Sequence, residues 1–276
     1  MLMLNLKEFV VGTAIGNLLM SARDRLNLLR AGHNSLETIG TIGNDQLATL
    51  LVTRICESHK AFIDVGAHIG SVIASVAQSD ASIKIIAIEA IPEKAFRLRT
   101  KFAHVDVHAC AVSDQQGEVP FYINTKDSGY SSLGRPTGDT NSFAQIRVRM
   151  EKLDDLVPHE NVGVIKIDVE GAELAVLRGS KEIIAQSRPT IMFESGPGDP
   201  NGLGHSKADL WQFFAEREYV ILVPNRVAHE DGGLSQDGFI ESHLYPRRTT
   251  NYFAIAKEQR SAGRDRARQV VGINPT

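Results

Sequence analysis

The chain is short of cysteine, of tryptophan, of one-signed charge and of long apolar runs, and each shortage excludes something. Its two cysteines, Cys56 and Cys110, stand far apart in no metal-ligand spacing. That excludes a disulfide scaffold and a cysteine-based zinc site. They read as two reduced core thiols, and the compartment expected is the cytoplasm. Thirty basic side chains against 33 acidic ones leave a net charge of −3. No excess of cations is available to grip a phosphate backbone, so no nucleic-acid partner is expected. The longest apolar run near the N-terminus, residues 9–20, is interrupted by Thr13 and Asn17. It is too short for a bilayer span, which needs about 20 residues. Lys7 before the run and Ser21 and Ala22 after it sketch a signal peptide, but Glu8 and a poor cleavage pattern oppose that reading. A helix packed on the body, or lying on a membrane surface, is expected instead.

What remains is an ordinary globular composition. The 276 residues, 42% hydrophobic and 23% charged, suit one large domain or one domain with an appendage. Residues 1–32 have a helical pattern, and Gly32, Gly40 and Gly43 read as a loop. A second helix is expected from Asn44 as N-cap, with Leu47, Leu50, Leu51 and Ile55 at helical spacing. From there strands alternate with helices. Strands are expected at 61–65, 83–89, 105–110, 162–168, 190–194, 219–223 and 252–256. Helices are expected at 71–78, 92–101, 172–179 and 207–217, the second opening on Pro92. Such alternation specifies a doubly wound α/β sheet. Residues 119–123 and 146–153 break the rhythm as an inserted β-hairpin with a long polar tip over 124–145. The organisation expected is a helical extension over 1–59, an α/β domain over 60–258 and a disordered basic tail over 259–276.

Three segments carry chemistry. In Phe62-Ile63-Asp64-Val65-Gly66-Ala67-His68-Ile69-Gly70 an apolar strand meets a carboxylate and then a Gly-rich turn that opens a helix. This is a nucleotide-type site at a strand's carboxyl end. His68 and Ser71 stand where a dinucleotide fingerprint needs glycine, which disfavours an NAD-dependent oxidoreductase. Asp64 would repel a pyrophosphate but suits a cationic amino or sulfonium group, favouring S-adenosylmethionine. The second segment, Ile85-Ile86-Ala87-Ile88-Glu89, ends in a carboxylate able to accept from both ribose hydroxyls. The third, Val164 to Glu173, carries Lys166 on the strand and then Asp168, Glu170 and Glu173 around a glycine. Three clustered carboxylates repel one another. They read as a general base, a substrate clamp or metal ligands, with helix capping as the structural alternative. No histidine–carboxylate spacing demands a metal, and none is expected. Lys166 should be paired with a neighbouring carboxylate.

Together these segments resemble the FkbM family of S-adenosylmethionine-dependent methyltransferases. The likeness runs from Phe62 to about Ser195. It also takes in Ala111-Val112-Ser113-Asp114 with Gly117, Ser131-Ser132-Leu133, Leu153-Asp154-Asp155-Leu156, Val176-Leu177-Arg178-Gly179 and 189–194. The resemblance implies a class I methyltransferase fold: a Rossmann-like, seven-stranded sheet with its last strand antiparallel, here with N-terminal helices and the inserted β-hairpin. It implies methylation of a hydroxyl group, often on a sugar, glycan or glycosylated natural product. Asp64, Gly66 and Gly70, with Ala67 and His68 between them, would hold the cofactor's methionine half. Glu89 and Ala90 would meet the ribose, and Ala111, Val112 and Ser113 the adenine. Asp168 would lie near the transferred methyl, with Glu170 and Glu173 as the other candidate bases. Residues 129–132, including Ser131 and Ser132, would form a substrate-proximal loop. His68 replaces the family's usual asparagine, and Ala90 its usual proline. His229 and His243 are outside candidates that could fold over the site. Trp211, Phe213 and Phe214 read as helix packing. The rival readings are a nucleic-acid or other small-molecule methyltransferase, a NAD-dependent oxidoreductase and a non-catalytic binding module. No Asn/Asp-Pro-Pro-aromatic element follows Asp168, which disfavours the first.

Overall fold

The structure, a computed structural model, describes residues 11–126, 129, 131–134, 142–196 and 205–273. The first ten residues of the helical pattern over 1–32, Tyr130, and residues 127–128 and 135–141 of the hairpin tip lie outside the described residues. Helices α1 (Ala14–Asn34) and α2 (Ile39–Arg54) come first. The alternating core follows: β1 (Ala61–Val65), α3 (Ser71–Ser79), β2 (Lys84–Ile88), α4 (Pro92–Lys101) and β3 (Asp106–His108). Next come β4 (Ala111–Val112), β5 (Gly117–Asn124), β6 (Phe143–Glu151), α5 (Leu153–Leu156) and β7 (Val162–Ile167). The chain closes through α6 (Glu173–Arg178), α7 (Lys181–Ser187), β8 (Thr190–Glu194), α8 (Lys207–Ala215), β9 (Tyr219–Leu222), α9 (Gln236–Glu241), β10 (Asn251–Ala256) and α10 (Arg260–Val271).

β1 and β7 are buried at every position. Strands with two apolar faces must be covered on both sides, which is the condition for a parallel sheet. The main sheet has the order β3-β2-β1-β7-β8-β10-β9. The pairs β2–β3, β1–β2, β1–β7 and β7–β8 are parallel, and β10 runs antiparallel to both β8 and β9. This is the seven-stranded class I methyltransferase fold with its last strand antiparallel. Period-two alternation splits each strand between two cores. Ile63, Ile165 and Phe193 face the layer that holds Leu174, Leu177, Phe214 and Phe239. Phe62, Val164 and Met192 face the layer that holds Leu51, Ile73, Leu98 and Ala267. Phe213 and Phe214 are helix packing, as read from sequence, and Trp211 Nε1 donates to the Leu234 carbonyl.

β1 lies where strand order reverses, between β2 and β7, so a crevice opens at their carboxyl ends. The inserted hairpin stands beside it. β5 and β6 pair antiparallel from Gly117↔Met150 to Asn124↔Phe143, and β4 adds in parallel. The predicted strand over 105–110 is shortened to β3, which joins the main sheet, and an unpredicted short strand, β4, follows it into the insertion.

Two further expectations are corrected. α2 begins at Ile39, and Gly40 and Gly43 lie inside it. Asn44 is no cap. Its Nδ2 donates to the Arg248 carbonyl at 2.8 Å and its Oδ1 accepts from Asn225 N at 3.1 Å. Two distant loop groups outbid the local capping preference. The tail read as disordered is helical over Arg260–Val271. Arg260 and Arg268 donate to the carbonyls of Val227 and Ala228, and Ala267 is fully buried. Arginines that satisfy loop carbonyls hold a helix that polar composition alone does not predict. Helices α7 and α9 were not foreseen either. Ser235 caps the latter, accepting from Gly238 N.

Candidate active site

The crevice is built around two glycines with left-handed backbone. Gly66 has φ +84°, and a Cβ there would sit 1.9 Å from the Asp168 carbonyl oxygen. The ends of β1 and β7 thus touch through a residue that has to be glycine. Gly70 has φ +78°, and its Cβ would meet Phe102 and Leu98. It serves helix packing and does not line the cavity. Between them His68 also takes a positive φ, +50°. Asparagine and histidine share an unusual tolerance for that region, which accounts for histidine in the family's asparagine position.

The turn ends on Glu89. His68 N donates to Glu89 Oε2 at 2.8 Å, and Ile91 N donates to Oε1 at 2.9 Å. Burial pushes the carboxyl's pKa up, while Lys94 and the two backbone N–H bonds work against that rise. The carboxylate is fixed between backbone donors with its free lone pairs beside the cavity.

Opposite it, β7 delivers a different arrangement. Lys166 lies beside Asp64 in register, with Nζ 3.0 Å from Asp64 Oδ1 and 3.3 Å from Asp168 Oδ2. Burial alone would favour the neutral amine, but the two carboxylates more than offset it and hold Lys166 charged. Asp168 joins Glu194, at the end of β8, through a side-chain hydrogen bond. Enclosure pushes the Asp168 carboxyl up, and Lys166 and the Glu194 bond reverse this, leaving it below the usual carboxylate range. Glu194 is pushed up to about 9, first by burial and then by Asp168 and Glu170. At neutral pH Glu194 is the protonated member and donates to ionised Asp168. Carboxylate oxygens of Asp168, Glu170 and Glu194 lie within 4.8 Å of one another.

These groups share one cavity of about 300 Å³. Of the positions singled out from sequence, Gly66, His68, Glu89 and Ala90 line it, as do Ala111, Val112, Ser131, Asp168 and Glu170. Six others stand behind the wall. Asp64 is buried against Lys166, and Ala67 packs in the core. Gly70 packs on α4. Ser113 N donates to the Glu151 carbonyl, and the Ser113 carbonyl lies against Gly179. Ser132 exchanges backbone bonds with Tyr122 and accepts from Gly134 N. Glu173 turns away, buried, and accepts from Gly171 N at 2.8 Å; the bond braces the turn ahead of α6 and is not a side-chain cap of the helix. His243 is buried outside the cavity. Its Nε2 is 2.9 Å from Ser195 Oγ and its Nδ1 is 2.7 Å from the Phe239 carbonyl, and burial lowers its pKa to about 4. His229 is not a lining residue.

Sequence reading missed Glu194, Lys94 and Phe121, which also line the cavity. Glu194 left a usable signal. It is the terminal carboxylate of a strand, like Glu89, and β8 is the neighbour of β7. The lining suits S-adenosylmethionine. It offers a backbone approach at Gly66, a diol acceptor in Glu89, and apolar walls at Ala111, Val112 and Phe121.

Residues 64–221 match the sequence model described as the methyltransferase FkbM domain. A curated relative, the 2-O-methyltransferase NoeI of Sinorhizobium fredii (strain NBRC 101917 / NGR234), is 24% identical over 156 residues, which cover 50% of this chain and 64% of NoeI. Among solved structures, the methyltransferase FkbM from Methylobacillus flagellatus KT aligns with a TM-score of 0.44 at 19% identity, over 72% of this chain and 43% of that one. The precorrin-6y C5,15-methyltransferase from Geobacter metallireducens GS-15 aligns with a TM-score of 0.38 at 15% identity, over 64% and 71% of the two chains. The chain thus spans less than two thirds of NoeI and less than half of the Methylobacillus protein.

Proposed function

This chain belongs to the FkbM methyltransferase family, and from that premise we propose that it is an S-adenosylmethionine-dependent O-methyltransferase acting on a hydroxyl of a sugar, glycan or glycosylated natural product. One observation carries the reading: the Asp168–Glu194 pair faces the same cavity as Glu89. A relative named as a 2-O-methyltransferase supports an oxygen acceptor.

The backbone at Gly66 and His68 and the carboxylate of Glu89 would hold S-adenosylmethionine, with Ala90, Ala111 and Val112 around it. When bound, the cofactor supplies a methyl group activated by its sulfonium. The protein's own task is to present an acceptor oxygen and take its proton. A neutral hydroxyl is a poor nucleophile, and a positioned base contributes about 10²–10⁴-fold. Asp168 is the base in this account. Lys166 keeps it ionised, and the hydrogen bond from Glu194 orients it. Glu170 lines the same wall and is suited to clamp the acceptor. Glu173 is reassigned from candidate base to a brace of the turn before α6, because it does not line the cavity and its carboxylate accepts from Gly171 N. Ser131 supports the acceptor side from the insertion.

The test uses S-adenosylmethionine labelled in the methyl group, a panel of glycan acceptors, and the purified full chain. Label transferred to an oxygen by the parent and lost in Asp168→Asn, with cofactor binding retained, is the expected result. Transfer that survives undiminished in Asp168→Asn contradicts the base assignment.

A further inference from the structure

Helix α1 wears a core-like stripe on its outside. Its inward side is formed by Ala31, which is buried, and by Met20, Asp24 and Leu28, which are half-buried. Gln46 of α2 donates to the Asp24 carbonyl. The outward side carries Leu18 and Leu29, 72% and 70% exposed, with Leu19 and Leu26 each about half exposed. At 3.6 residues per turn these four leucines fall within an arc of about 100°, the width of an ordinary buried stripe. Arg25 borders that arc on one side and Arg30 and Arg23 on the other, all exposed. The helix bears three arginines against one aspartate, in a chain whose net charge is −3. Next to its C-terminal end Leu36, Leu244 and Tyr245 are also exposed, with Tyr245 Oη donating to Glu37 Oε1 at 2.7 Å.

We propose that the outward face of α1 docks this protein peripherally on an anionic lipid surface. The leucines enter the boundary between headgroups and acyl chains, and the arginines reach the phosphates. An apolar arc flanked by cations is the pattern of a helix that lies in a membrane interface. Arginine stems cover apolar surface while their heads stay at the polar level. A second copy of this helix is the poorer occupant, because two such faces would set arginine rows against each other with a single aspartate per helix to offset them. Twenty-one residues give the helix a length of about 31 Å along the surface. It lies on the membrane and does not cross it, since no helix among the described residues is long and apolar enough to do so.

The test is flotation of the full chain with vesicles of phosphatidylcholine alone and of phosphatidylcholine with about 30% phosphatidylglycerol. Association with the anionic vesicles, weakened as salt rises from about 0.1 M to about 1 M, is expected. Leu18→Ser with Leu29→Ser should lower vesicle affinity by about tenfold per leucine. Arg25→Gln with Arg30→Gln should lower it by about fivefold per arginine and flatten the salt dependence. These side chains are exposed, so the thermal midpoint of each variant should stay at the parent's value, showing that the fold is intact. Failure to float with either vesicle, or flotation of both double variants as strong as the parent's, overturns the proposal. A dimer seen by sedimentation and dispersed by the leucine variants, without vesicle binding, also overturns it and gives the face to a second copy.

Discussion

Two strand ends line one cavity, and they hold their carboxylates by opposite means. At the end of β2, Glu89 is held by two backbone N–H groups. Those donors cannot leave or change charge, so the carboxylate is a fixed acceptor. At the ends of β7 and β8, Asp168 is held by an ammonium and by a proton on Glu194. Both of those can move. Backbone donors make a binding site, whereas a shared proton beside a lysine makes a site poised for acid–base work. The same residue type therefore serves two purposes, and its partners decide which.

The largest expected effect separates the two ends. Asp168→Asn should cut methyl transfer by about 10²–10⁴-fold and leave cofactor affinity within a few-fold, measured by label transfer and calorimetry. Glu89→Ala should do the reverse, weakening cofactor binding by about 1–3 kcal/mol through loss of the ribose acceptor and exposure of two orphaned N–H groups. If both substitutions acted on the same quantity, the division would collapse.

Glu194→Gln sharpens the comparison further. Its folded pKa of about 9 lies above its unfolded value, so the folded chain binds the extra proton. The stability it contributes is complete below about pH 4.3 and is lost as pH rises towards 9. Removing the titration should raise stability at pH 7 by about 1–3 kcal/mol, read from denaturant midpoints. The pH–rate profile should also lose its alkaline limb near 9, because glutamine donates to Asp168 at every pH. An alkaline limb that stays in place would assign it to another group. The smallest effect belongs to Glu173→Gln. It should change transfer less than about threefold and cost about 1 kcal/mol of stability, the worth of one hydrogen bond from Gly171 N.

Much of this architecture was legible in the chain because strands with two buried faces announce themselves. The apolar runs at 61–65 and 162–167 leave few other folds open, and the glycine turn after β1 pointed to the cavity that Gly66 and His68 line. What escaped were contacts between residues distant in sequence. Asp64 reads as a free strand-end carboxylate until the sheet sets it beside Lys166, 102 residues away. Asn44 reads as a cap until two loops claim its amide. The arginines after Gln259 read as a solvated tail until loop carbonyls meet them. Glu194 ends a segment that carries the family resemblance, but nothing local gives it a partner, and the adjacency of β7 and β8 brings it to Asp168. Glu173 has the residue type of a base, but Gly171 N, two residues back, draws its carboxylate into the turn and away from the cavity.

The most direct test of this division is calorimetric titration of S-adenosylmethionine into the folded parent, Glu89→Ala and Asp168→Asn. Saturable binding to the parent and to Asp168→Asn, and binding about 5- to 150-fold weaker in Glu89→Ala, is the expected result. Binding at the parent's affinity in Glu89→Ala, or binding that vanishes in Asp168→Asn with the fold intact, would contradict it.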